Sequence, residues 1–168
     1  MEKNRTQKLT VAGILIAVGV VCSPFSIPLG AARCFPVQHM VNILSAVFLG
    51  PFYGVSMAFI TSLIRVMLGT GSLLAFPGSM CGALLCGLVF RYTEKLAFTY
   101  LGELFGTSIL GALAAYPIAT VVMGKEAALF AYVIPFFISC IGGDVVCGAC
   151  VGRRWGNQRR SRVFYEES

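Results

Sequence analysis

Five stretches of this chain carry no charged residue at all: 9–32, 34–64, 66–90, 104–124 and 127–143. A bilayer core of about 30 Å asks for about 20 consecutive apolar residues per helix, and most of these stretches meet that length. Charged residues make up 12% of the 168, about half the usual share of roughly 25%, while hydrophobic residues reach 57% and glycines number 19. Such a chain cannot have water as its only solvent. The expected class is an all-α, polytopic membrane protein, which excludes a disordered chain, a nucleic-acid binder and a secreted disulfide framework. The seven cysteines are an odd number, and six of them, Cys22, Cys81, Cys86, Cys140, Cys147 and Cys150, lie in apolar runs as small packing residues do.

Turn residues and charges divide the chain into six expected spans, at about 9–27, 37–49, 52–68, 74–90, 101–123 and 127–151, in one integral membrane domain, with a basic tail over 152–168. Pro24 and Pro28 close the first span. Gly50 and Pro51 separate a second span of 13 residues, about 20 Å of helix, from the third. Whether 37–68 is one kinked span or two is decided by parity. Basic residues mark the cytoplasmic side of a membrane. Six spans put Lys3, Arg5, Lys8, Arg91, Lys95 and the five tail arginines (Arg153, Arg154, Arg159, Arg160, Arg162) inside, ten residues, against Arg33 and Lys125 outside. Both termini are therefore expected to be cytoplasmic.

The chain contains neither G-x-x-x-x-G-K-[ST] nor G-x-G-x-x-G, the loops that cradle nucleotide phosphates, so any ATP is spent by a partner. One histidine with no carboxylate near it in sequence argues against catalysis, a metal or a cofactor. Cys147-Gly-Ala-Cys150 is a C-x-x-C in an apolar helix without a thioredoxin-like strand context, and reads as packing. The informative cluster is Gln38, His39 and Asn42 with Arg65. His39 and Asn42 share one helix face, and Arg65 lies 13 residues into the third span, at a similar outer depth. A polar or charged group within a span is by default a functional-site hypothesis; the alternatives are that Arg65 snorkels to outer headgroups and that His39 merely starts a helix. The turn Gly69-Thr70-Gly71-Ser72, with Phe76, Pro77, Gly78 and Ser79, lies on the same side and serves either a close-approaching ligand or a tight connection. Tyr116 and Tyr132 are candidate aromatic walls or interfacial anchors. Glu103 and Asp144 are placed near the inner ends of spans five and six, away from an outer pocket, with Arg91 or Arg153 as expected partners. Gly13-x-x-x-Ala17 on span one permits close helix contact.

The segment Pro36–Arg91, with its HMVN, GTG and AFPGSM motifs, closely resembles the ThiW family of substrate-binding S components of energy-coupling factor (ECF) transporters. The resemblance implies a six-helix bundle that captures hydroxyethylthiazole, the thiazole moiety of thiamine, from outside. It also implies a transmembrane coupling T component and two ABC ATPases as partners. Docking in S components uses an A-x-x-x-A pattern in the first helix, which here is Gly13-x-x-x-Ala17. The site residues are expected from depth, not from the resemblance: six spans bring Gln38, His39, Asn42, Arg65 and Ser79 to the outer third as hydrogen-bonding candidates, with Phe76, Tyr116 and Tyr132 as candidate walls. A different class of function, a membrane-embedded structural or assembly protein without a small-molecule ligand, predicts no response to any thiamine precursor.

Overall fold

The computed structural model describes residues 5–29, 32–122, 124 and 132–149. Its six main helices are α1 (Arg5–Val21), α2 (Pro36–Phe48), α3 (Pro51–Met67), α4 (Ala75–Thr93), α5 (Leu96–Val122) and α6 (Val133–Cys147). A short antiparallel hairpin, β1 (Ile27–Leu29) and β2 (Ala32–Cys34), joins α1 to α2 and pairs Ile27 with Cys34. The α4 and α5 helices are long and apolar enough to cross a membrane, while α3 and α6 are shorter apolar helices.

The first helix ends at Val21 instead of Ile27 because Pro24 has no N–H to donate to the Val20 carbonyl. That carbonyl is taken by Ser23, whose Oγ donates to it at 2.7 Å and whose backbone N–H donates at 3.1 Å. Pro28 then favours the extended chain before it, and the expected loop becomes a strand. The fifth helix begins at Leu96, five residues before the expected start. Glu94 adopts φ 51° and closes α4, and extended Lys95 leads directly into α5. The expected sixth span falls partly outside the described residues, as do Lys125, Cys150 and the basic tail with Arg153.

Consecutive helices run antiparallel. The α4–α5 pair brings Gly78 against Gly111 and Val89 against Gly102, and the α5–α6 pair brings Ser108 against Cys140 and Tyr100 against Gly148. The hairpin, the C-terminal ends of α1 and α3 and the N-terminal ends of α2 and α4 therefore gather at one end of the bundle, where the Ser23 and Thr70 hydroxyls are 2.9 Å apart.

Small residues fill the interior. Ala83, Ala112, Ala115 and Ala119 are fully buried, and Cys147 packs with Ile43, Ala46 and Cys86. Large apolar side chains point outward, among them Val21, Phe52, Ile134 and Val145. Small residues between helices let backbones approach in a solvent as apolar as leucine, and the outward face suits lipid. Within α5, two segments, Gly106–Gly111 and Ile118–Val122, are π-helical. The first carries Thr107 into the site, and such wide turns recur at functional positions.

Candidate substrate-binding site

The interior of the hairpin end is polar. Arg65, on α3, is 1% exposed, and the α3–α4 turn folds over its backbone: the N–H groups of Thr70 and Gly71 both donate to its carbonyl at 2.9 Å. Its guanidinium lies over the Phe35 ring, 3.8 Å from the centroid, a desolvated cation–π contact. Nη1 donates to Gln38 Oε1 at 3.1 Å, Gln38 Nε2 to Asn42 Oδ1 at 3.4 Å, and Asn42 Nδ2 to Glu103 Oε1 at 3.0 Å. Arginine can only donate and an ionised carboxylate can only accept, so the two ends orient both amides between them. The result is a one-way hydrogen-bond chain from a buried cation to a buried carboxylate.

Glu103 is fully buried and its Oε1 is shared. It accepts from His39 Nδ1 at 2.8 Å, from Asn42, and from the Thr107 hydroxyl at 3.2 Å. With the proton on Nδ1, His39 Nε2 faces Ser139 Oγ at 2.9 Å, and that hydroxyl also accepts the Phe35 N–H at 2.8 Å. One network thus ties α2 and its N-cap residue Phe35 to α3, α5 and α6. A buried network of this kind restricts the arrangement of its neighbours, although Glu103 Oε2 and the Nε and Nη2 of Arg65 are buried with no hydrogen-bond partner among the described residues. His39, Glu103 and Cys140 have donor atoms within 4.8 Å of one another, types that zinc accepts, and the hydrogen bond between them already engages His39 Nδ1 and Glu103 Oε1.

Two glycines make the network possible. A Cβ at Gly82 would collide with the Thr107 hydroxyl and come within 2.9 Å of Glu103 Oε1, and one at Gly143 would lie 2.5 Å from the His39 Cβ and 2.7 Å from the Pro36 carbonyl.

Beside the network lies a small, partly open cavity of about 30 Å³, well below the roughly 300 to 1,000 Å³ of a fully formed ligand pocket. Its described lining is Phe35, Gln38, His39, Arg65, Ser72, Ala75, Gly78, Ser79, Thr107, Phe136 and Ser139. Gln38, His39, Arg65 and Ser79 therefore meet at one cavity, and Asn42 stands one hydrogen bond behind them, its Nδ2 3.4 Å from the Ser79 carbonyl. Three sequence candidates are elsewhere. Phe76 packs edge-on against Phe59 with centroids 5.5 Å apart, Tyr132 is buried among Leu74, Ala112, Ala115 and Ala119, and half-buried Tyr116 is not on the lining. The aromatic residues on the lining are instead Phe35, just before α2, and Phe136 on α6.

Glu103 is the main correction. The expectation placed it at the inner end with Arg91 or Arg153, but α5 starts at Leu96, so Glu103 stands seven residues into the helix, about 10 Å up. It meets α2, itself too short to carry His39 and Asn42 out of reach. Arg91 is exposed, Arg153 lies outside the described residues, and Asp144 makes no ion pair among the described residues. Thr107, Ser139, Phe35, Ser72 and Phe136 were also missed. A signal for Glu103 was present, since an isolated carboxylate within an apolar run is itself a marker of function.

Residues 9–153 match the model of a family described as thiamine-precursor transporter protein (ThiW). A comparison with curated protein sequences finds no match. Among solved structures the chain is similar to the S component of a bacterial ECF transporter, with a TM-score of 0.75 and 17% identity, covering 92% of this chain and 98% of that one. At that identity the likeness establishes the fold, an S-component-like helical bundle. The family match over most of the chain, on a bundle with a lipid-facing exterior and a polar cavity at one end, establishes the rest: this is a multi-pass protein of the cytoplasmic membrane, a transport protein and not an enzyme, and it belongs to the ThiW family of thiamine-precursor transporters.

Proposed function

We propose that the chain is the substrate-binding subunit of an ECF-type importer, capturing hydroxyethylthiazole from outside at the hairpin-end cavity. The observation that supports this most directly is the cavity itself, where polar groups from α2, α3, α5 and α6 converge with Phe35 and Phe136 on the lining. A small heterocycle with one hydroxyl needs an apolar or aromatic wall and a few placed hydrogen bonds. Labelled hydroxyethylthiazole should bind the detergent-solubilised protein, and Asn42→Ala, which breaks the link between Arg65 and Glu103, should weaken binding. One buried hydrogen bond contributes about 1 to 3 kcal/mol when a partner is left unpaired, roughly a 5- to 150-fold change in affinity. Parent-like binding by that variant, or no binding by the parent, counts against the reading.

Uptake is energised by a transmembrane T component and two ABC ATPases, because the chain has no nucleotide-binding loop of its own. The docking face is α1, where Gly13 and Ala17 are both exposed and a Cβ on Gly13 would meet nothing within 4 Å. The double variant Gly13→Leu, Ala17→Leu should fold and bind ligand as the parent does, yet lose uptake, since bulk on a small-residue face prevents close helix approach. Unchanged uptake would move the docking face elsewhere. Both termini are cytoplasmic in this reading, so a tag after Ser168 should be labelled only in permeabilised cells, and labelling in intact cells would overturn the orientation.

A further inference from the structure

The cavity is biased toward negative charge more strongly than a neutral alcohol requires. Arg65 commits Nη1 to Gln38 and one face to Phe35, but its Nε and Nη2 are buried with no hydrogen-bond partner among the described residues. Those two N–H groups form one edge of the guanidinium, the fork that grips a carboxylate or phosphate with two parallel hydrogen bonds. In proteins such an edge, taken out of water, is matched by an acceptor, because an unpaired buried charge is among the costliest groups to leave alone. None of the described residues that line the cavity is acidic. The nearest carboxylate in the network, Glu103, is held away from Arg65 by Gln38 and Asn42 and already accepts from His39, Asn42 and Thr107.

A second observation points the same way. Ala75, Gly78 and Ser79, in the first turns of the 19-residue helix α4, line the cavity, and no side chain caps that helix end. Phe35, Gln38 and His39, at the start of α2, line it from the other side, also without a side-chain cap. Helix N-termini carry partial positive charge and favour anions. Arg65 and residues from the first turns of two helices therefore line one space, although the Gln38, Ala75 and Phe76 N–H groups already donate to the carbonyls of Phe35, Ser72 and Leu73.

We propose that the site takes the oxyanion-bearing form of the heterocycle, a phosphate ester or a carboxylate, in preference to the neutral alcohol, with the oxyanion on the Nε–Nη2 edge of Arg65. The proposal rests on the reading of this cavity as the thiamine-precursor site, and deepens it by naming the charge of the substrate.

The test is calorimetric or radioligand binding to the full chain in detergent. The ligands are hydroxyethylthiazole, its phosphate ester and the matching thiazole carboxylate, with the pyrimidine alcohol of thiamine and its phosphate ester as a second pair. The expected result is that at least one anionic form binds about tenfold or more tightly than its neutral parent, since charge-assisted hydrogen bonds are roughly twice as strong as neutral ones. Which thiazole anion wins separates phosphate from carboxylate recognition. Arg65→Gln should bring the anionic-to-neutral ratio close to one, and Arg65→Lys, a point charge without the fork, should leave it intermediate. Equal or weaker binding of the anions by the parent protein overturns the proposal, whether or not the variants fold; so does a ratio that Arg65→Gln leaves unchanged. If only the pyrimidine pair binds, the thiazole reading falls and the ratio is read from that pair. If no ligand binds, both fall.

Discussion

Glu103→Leu is expected to abolish ligand binding and to lower the thermal unfolding midpoint of the detergent-solubilised protein more than any other single change in the site. The side chain is fully buried, and its Oε1 accepts from three donors on α2 and α5. Removing the acceptor leaves the donors of His39, Asn42 and Thr107 buried and unmet, at a cost of about 1 to 3 kcal/mol for each group. Binding fails with it, since Asn42 loses the acceptor that orients it, and through Gln38 the guanidinium of Arg65 is no longer aimed. Glu103→Gln is the milder variant. It keeps the shape but replaces a charged acceptor with an amide, so a loss of about 1.5 to 3 kcal/mol is expected for hydrogen bonds to a charged group. Tyr92→Phe, exposed at the far end of α4, serves as the control and should match the parent. A Glu103→Leu protein with the parent's midpoint and affinity would show that the network does not hold the site together.

Gly82→Val is expected to have the second largest effect, although position 82 does not line the cavity. Even an alanine there would drive its Cβ into the Thr107 hydroxyl and to within 2.9 Å of Glu103 Oε1. The extra methyls of valine have no space to occupy between α4 and the π-helical turn of α5. Overpacking of a dense interior costs about 1 to 3 kcal/mol or more, and here the displaced atoms are the acceptor and donor at the base of the site. Ligand affinity should fall steeply in Gly82→Val and by less in Gly82→Ala, with the order measured by the same binding assay. Matching affinities for both variants and the parent would mean that α4 can retreat without disturbing Glu103.

The amino-acid sequence alone determined the solvent, the class and the local groupings within the candidate site. Charge-free stretches long enough for a bilayer are a property of composition along the chain, and they dictate membrane helices whatever the packing. The proximity of Gln38, His39 and Asn42 is equally local, because residues three and four apart share a face of any α-helix. The absence of a phosphate-binding loop is a statement about sequence and nothing else. The partner of His39 is of another kind: Glu103 is 64 residues away, and no periodicity connects them. Its depth depended on where α5 begins, which a left-handed Glu94 and an extended Lys95 moved by five residues. That shift of about 7.5 Å along a helix axis carries a carboxylate from the membrane edge to the site. The aromatic lining was decided in the same way. Tyr132 and Phe136 both pack with the alanines of α5, but only Phe136 also reaches the cavity, with Phe35, a choice set by how α6 and the start of α2 pack against their neighbours. Local spacing decides which residues a helix presents together; only the packing of six helices decides which of those faces meet.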